Sequence, residues 1–239
     1  MNPLLDAPIT KIRETLLLMS SLTERNFRLA IQALNERDGT IADRVEEEDD
    51  QLDQLEIDID ELVMAYMATR GPVASDCRFA LAASKISGRL ERIGDEATTI
   101  ARYSRQLNME APLGPGFDLS RIVEIASKML YESITAFVEN TPEVALKIVE
   151  RDQEVDDLHR QLVRDLTEYM KKGAENIDRG ISMIRIAKSL ERIADHASSI
   201  AEDVYYLYRG TDIRHGGAEH EQAAIQTGRE PGGTQIPPG

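Results

Sequence analysis

AIQALNERDGTIADRVEEEDDQLD, residues 30–53, and SITAFVENTPEVALKIVERDQEVD, residues 133–156, align without a gap 103 positions apart. The same offset still holds where AYM at 65–67 meets EYM at 168–170. Further on, ERIGDEATTIA at 91–101 matches ERIADHASSIA at 191–201, now 100 positions apart. The slip falls between TRGPVASD (69–76) and KKGAENI (171–177), where a loop absorbs it. The chain is therefore written twice, in units of roughly a hundred residues, and self-similarity at a fixed period is the first thing a fold must satisfy.

Each unit reads as three helices. In the third, Ile86, Leu90, Ile93, Ala97 and Ile100 recur at spacings of four and three. Their counterparts Ile186, Leu190, Ile193, Ala197, Ile200, Val204 and Leu207 do the same. That is a bundle seam of coiled-coil type. The second helix carries Ile41, Val45, Leu52, Leu55, Ile59, Leu62 and Tyr66 in one copy. In the other it carries Ile148, Val155, Leu158, Leu162 and Tyr169, interrupted by Asp165. Asp38-Gly39 and Thr141-Pro142 separate the first two helices of each unit, while Gly71-Pro72 and Gly173 separate the last two. APLGPGFD at 111–118 divides the halves.

The expected fold is all-α, two tandem three-helix bundles side by side. The first spans 1–110 and the second 118–209. Residues 210–239, rich in Gly, Pro and Gln, read as a disordered tail. His215 and His220 lie in that tail, and two His on a polar segment are weak grounds for a metal site.

Composition agrees. Of 239 residues 41% are hydrophobic and 30% charged, but only 5% are aromatic and none is Trp. That skew favours long helices over a β-sandwich or barrel. The net charge of −15 excludes bare nucleic acid and an anionic membrane surface as partners, leaving cations or basic protein surfaces. Cys77 is alone and closes no intrachain disulfide. The start of the chain lacks a leader-like apolar stretch, and no run of about 18 apolar residues occurs. The expected compartment is the cytoplasm.

The sharpest recurrence is an acid at i and another at i+4. Asp49 and Asp53 correspond to Asp152 and Asp156, and Glu91 and Asp95 to Glu191 and Asp195. Residues four apart share a helix face, where like charges cost a few tenths of a kcal/mol. A multivalent cation held by carboxylate oxygens offsets that cost, and oxygen-rich sites suit hard ions such as Fe³⁺, Mn²⁺ or Mg²⁺. With Leu90 and Ile93 on the seam, Glu91 and Asp95 turn away from it, so both pairs meet on the outer surface of each bundle. The opposing reading is a solvated acidic face, which duplication would also copy. His196, beside Asp195, stands where the first copy has Glu96 and reads as a surface residue. Asp156 and His159 form one acid-x-x-His spacing, but Glu56 is the counterpart of His159, so a buried di-iron bundle with two such motifs is excluded. No Gly-rich phosphate loop, G-x-S-x-G elbow, Cys pair or H-E-x-x-H is present, and surface carboxylates without a water-excluding pocket suit metal-assisted hydrolysis poorly.

RLERIGDEATTIAR (89–102) and SLERIADHASSIAEDVYYL (189–207), with IVERDQEVDDLHRQL (148–162) upstream, resemble the PhoU family of phosphate-uptake regulators. The resemblance runs to about Tyr208. It implies two three-helix bundles whose E/D-x-x-x-D motifs hold iron or zinc clusters on the surface; the motif positions here are Asp49, Asp53, Glu91, Asp95, Asp152, Asp156, Glu191 and Asp195. It also implies an adaptor, not an enzyme, that restrains high-affinity phosphate uptake. The implied partners are the transporter's ATPase subunit and the membrane sensor histidine kinase, so the chain meets the membrane through partners only. A homodimer stays open. An accessory role for a low-affinity phosphate or metal transporter is the alternative. One departure is Arg102, where the family often has Glu, as at Glu202 in the second copy.

Overall fold

The computed structural model describes residues 3–112 and 117–214. Six long helices follow in order: α1 Pro3–Glu36, α2 Gly39–Arg70, α3 Ala74–Asn108, α4 Ser120–Glu139, α5 Glu143–Met170 and α6 Ile177–Arg209. A single 3₁₀ turn at Ala174–Asn176 precedes α6, and there is no strand among the described residues. At about 1.5 Å per residue these helices run roughly 30–50 Å. α4 is the short one, with 20 residues against 34 in its counterpart α1.

The breaks fall where the turn chemistry asks for them. Asp38 caps α2 by accepting from the Thr40 N–H at 2.8 Å. Gly71 ends α2 at φ 55°, a left-handed conformation that glycine adopts without strain. Arg37 takes the same conformation (φ 55°) without being glycine. Its guanidinium is tied down by the carbonyls of Leu107, Asn108 and Glu110 at 2.8, 3.2 and 2.6 Å, which binds the α1–α2 turn to the end of α3. At α5 the turn is made by backbone bonds (Val144 N–H to Thr141 O, Ala145 N–H to Pro142 O) with Pro142 itself in the cap position.

α1, α2 and α3 pack on one another, as do α4, α5 and α6. The seams read from the sequence are the cores: Leu52, Ile59, Leu90, Ile93, Ile100, Ile148, Ile186, Leu190, Ile193, Ile200 and Val204 are fully enclosed. The halves join chiefly through α3 and α6, with a lesser contact of α1 and α4. Arg89 and Lys85 of α3 reach Asp203 of α6, and Glu96 of α3 meets Arg192 of α6. Rising numbers on one helix meet falling numbers on the other, so α3 and α6 run antiparallel and relate the halves by an approximate twofold axis. At the α4 end of this join, Phe79 and Phe137 stack with centroids 6.4 Å apart, and the Arg13 guanidinium lies 5.3 and 5.2 Å from the two rings.

Past α6, Gly210 turns the chain at φ 71°, and Ile213 is buried with only 1% of its surface exposed. The fold thus uses residues 210–214; the rest of the expected tail, 215–239 with His215 and His220, lies outside the described residues. No helix among the described residues is long and apolar enough to cross a membrane.

Candidate functional site

Helix periodicity places each acid pair on one stripe, and the packing of α2 on α3 and of α5 on α6 brings the stripes together. The first cluster contains Asp49, Asp53, Glu91 and Asp95, each of which bears electrostatically on others of the set. The second contains Asp152, Asp156, Glu191 and Asp195. There, one carboxylate oxygen each from Asp156, Glu191 and Asp195 all lie within 4.8 Å of one another.

The pairs are not on a fully solvated face. Asp49, Glu91, Asp152, Asp156, Glu191 and Asp195 are half-buried, while Asp53 and Asp95 are exposed. One oxygen of Asp152 is enclosed without a hydrogen-bond partner. Burial comes from the close approach of the helices. At Gly94 a Cβ would stand 2.4 Å from Leu52 Cδ1 and 3.3 Å from Asp49 Oδ1, so the bare backbone of α3 lets α2 lay Asp49 against it. Ala194 is the counterpart in the second half.

Enclosing like charges changes their protonation. Burial, then Asp95 and Glu56, push the Glu91 carboxyl up to about 7. Burial, then Asp95 and Asp53, push Asp49 up to about 6, against a favourable contact from the Thr98 hydroxyl. Asp95 is raised by burial and by Asp53, partly opposed by Arg92 and by a hydrogen bond from Glu91. In the second half burial, Asp195 and Asp156 push Asp152 up to about 7, and burial with Glu191 pushes Asp195 up to about 6. The raised carboxyls mark enclosed negative charge that protons or a bound cation would relieve.

Two further acids belong to the clusters and were not assigned from the sequence. Glu56, one turn after Asp53, bears on Glu91 and is itself raised by burial and by Asp60 and Asp53. Glu202 bears on Asp152 and is raised by burial. The i+3 step from Asp53 to Glu56 was the available signal for the first. Arg102, the counterpart of Glu202, is exposed, so the first half lacks that carboxylate and the second lacks the one at 56. His159 stands at the counterpart of Glu56; its Nε2 is enclosed with no hydrogen-bond partner. Burial lowers its pKa, so it is a neutral ring near Glu191 and Asp156. It is outside the group of three close carboxylates.

Among known proteins, the PhoU domain model matches twice, over residues 16–104 and 119–204, one match per bundle. A protein of Pseudomonas aeruginosa named phosphate-specific transport system accessory protein PhoU homolog is 38% identical over 225 residues, covering 94% of this chain and 93% of that one. Its Pseudomonas putida namesake is also 38% identical, over 92% of this chain and 87% of that one. The crystal structure of PhoU from Pseudomonas aeruginosa superposes with a TM-score of 0.83 at 39% identity, covering 86% of this chain and 99% of that chain. The phosphate transport system regulatory protein PhoU of Streptococcus pneumoniae gives 0.80 at 26% identity, over 87% and 98% of the two chains. With one family match to each bundle and relatives 38% identical over more than nine-tenths of its length, the chain belongs to the PhoU family.

Proposed function

We propose that this chain is a regulatory adaptor of phosphate transport that restrains high-affinity uptake and phosphate-starvation signalling when phosphate is plentiful. It acts without catalysis, in the cytoplasm, by binding the transporter's ATPase subunit and the sensor histidine kinase. What supports the reading most is the doubled family match over nearly the whole chain, together with relatives named as accessory and regulatory proteins of phosphate transport. Long, acidic helical faces suit basic patches on partner proteins. Deleting the gene should leave phosphate-starvation reporters switched on in rich phosphate, and the intact gene should silence them again. Unchanged reporters, with altered uptake through a low-affinity carrier instead, would favour the accessory role for that carrier.

The acid clusters fit metal ions. Asp49, Asp53, Glu91 and Asp95, with Glu56, would hold one site; Asp152, Asp156, Glu191 and Asp195, with Glu202, the other. Three oxygens within 4.8 Å, an enclosed Asp152 oxygen lacking any partner and half-buried acids pressed together are what a cation relieves. Bound iron or zinc would neutralise these faces and lock α2 to α3 and α5 to α6. The protein's part is to hold the carboxylates together on rigid helices and to present them at the surface.

A further inference from the structure

α1 and α4 touch only lightly where the halves meet, and a cleft runs between them that none of the eight motif carboxylates lines. An outer hollow of about 250 Å³ lies among Leu17, Ser20 and Glu24 of α1 and Val138, Ile134 and Tyr131 of α4. The next, of about 260 Å³, lies among Glu24, Phe27 and Ile31 of α1 and Tyr131, Leu130 and Val123 of α4. Rising numbers on α1 meet falling numbers on α4, so the two helices run antiparallel along the cleft. Glu24 and Tyr131 stand at the boundary that both hollows share.

Apolar side chains make the walls. Phe27 and Leu130 are buried, while Leu17 and Val138 stay exposed and Tyr131 keeps 61% of its surface open to solvent. Contiguous apolar surface of this kind marks a place where another molecule sits, and an exposed tyrosine suits the centre of such a contact. The spacing says which kind of molecule. Each hollow extends over one heptad of α1, from Leu17 to Glu24 and from Glu24 to Ile31. A helix repeats one face every seven residues, about 10 Å, so residues i and i+7 of a single inserted helix enter both hollows at once.

Charge narrows the choice further. Glu24 lies between the hollows and Glu139 lines the outer one, whereas Arg28 is the one base among the described residues lining either. Burial raises the Glu24 carboxyl, and Arg28 opposes that only in part. An acid enclosed by apolar walls favours a Lys or Arg on the occupant. Residues 215–239, with three Glu and one Arg, bring the wrong sign, and so does a second copy with its net charge of −15.

We infer that the α1–α4 cleft seats one basic amphipathic helix of a partner protein, its apolar residues at i and i+7 filling the two hollows and a Lys or Arg meeting Glu24. The inference rests on the adaptor reading, since a partner must supply the helix. It puts this contact on a surface apart from the acid clusters.

The test is fluorescence anisotropy of the full-length protein with a labelled helical peptide of about 18 residues, leucines spaced three and four apart and flanked by lysines. A scrambled peptide keeps the charge and loses the stripe. Glu24→Lys and Tyr131→Ala alter the cleft, Glu47→Lys makes the same charge change on exposed α2 surface, and circular dichroism checks each fold. Wild type should bind the striped peptide at least about tenfold more tightly than the scrambled one. Each cleft variant should lose about tenfold, and Glu47→Lys less than about twofold. Equal binding of the two peptides, or undiminished binding by both cleft variants, would overturn the inference. Binding about tenfold tighter once residues 215–239 are removed would give the cleft to that segment, and a dimer dissolved by the cleft variants would give it to a second copy; either would overturn it. In cells, Glu24→Lys with Tyr131→Ala should leave the starvation reporters on in rich phosphate, and a variant that silences them would overturn the partner's helix. Reporters untouched even by gene deletion would overturn the adaptor reading, and the peptide measurement would then decide the cleft by itself.

Discussion

The two halves hold the same four motif carboxylates in the same helical frame and differ in what surrounds them. The first half adds Glu56, uses Gly94 to bring α2 close to α3, and has Arg102 at its edge. The second has His159 and Ala194 at those places, and Glu202 in place of the arginine. At the equivalent positions Asp49 is pushed up to about 6 and Asp152 to about 7, and burial between two helices is the leading cause in both. A frame of packed helices thus sets the electrostatics of the clusters, and the flanking residues only adjust it.

That conclusion can be broken first through the frame. Leu52 of α2 packs against Gly94 and is fully buried; its counterpart Val155 is also fully buried but smaller. Leu52→Ala should cost about 3 kcal/mol and Val155→Ala roughly 1–2 kcal/mol, in proportion to the apolar volume removed. Chemical denaturation of the two variants checks this, and equal losses would mean that the halves are not packed alike around their clusters. A next test separates the sites. Asp152→Asn with Glu191→Gln should remove the second site's metal and leave the first site's, so elemental analysis should show metal content falling partway and not to zero.

A smaller effect is the pH dependence of the metal-free protein. Glu91 and Asp152 at about 7, and Asp49 and Asp195 at about 6, lie above their ordinary values of 4.5 and 3.8. The folded state therefore holds protons that the unfolded chain has released. As far as these groups decide it, stability should be greatest below about pH 4, fall as pH rises from there through 6 and 7, and level off near 8. Added zinc should flatten that slope, and Glu91→Gln should stabilise the chelated protein at pH 8, as thermal denaturation would show. The smallest expected effect is that of His159→Gln. Because His159 stands outside the three close carboxylates, metal content should be unchanged, and a marked loss would make the imidazole a ligand after all.

Much of this architecture is legible in the residues. The offsets of 103 and 100 locate both units and the slip between them, and the apolar seams from Ile86 to Ile100 and from Ile186 to Leu207 are the buried stripes observed. The i,i+4 spacing predicts which two carboxylates share a face of one helix, whereas the meeting of two such pairs depends on how the helices pack. The join between halves is not legible. Lys85, Arg89 and Asp203 look like ordinary surface charges in a chain that is 30% charged, yet Asp203 is only 3% exposed, sealed in by α3. The half-burial of Glu91 and Asp152 is hidden for the same reason: it depends on how near the second helix of each unit approaches the third, a distance that periodicity does not encode. Ile213, an isolated apolar residue in a polar stretch, carries no periodic signal at all, and only the turn at Gly210 brings it to the core.

The most direct test is the metal content of untagged protein, by elemental analysis, for wild type and for a variant carrying Glu91→Gln, Asp95→Asn, Glu191→Gln and Asp195→Asn. Iron or zinc bound to wild type and lost from the variant, with helical content unchanged by circular dichroism, is the predicted result. Wild type without metal, or a variant that keeps all of it, would contradict the assignment of these carboxylates as ligands.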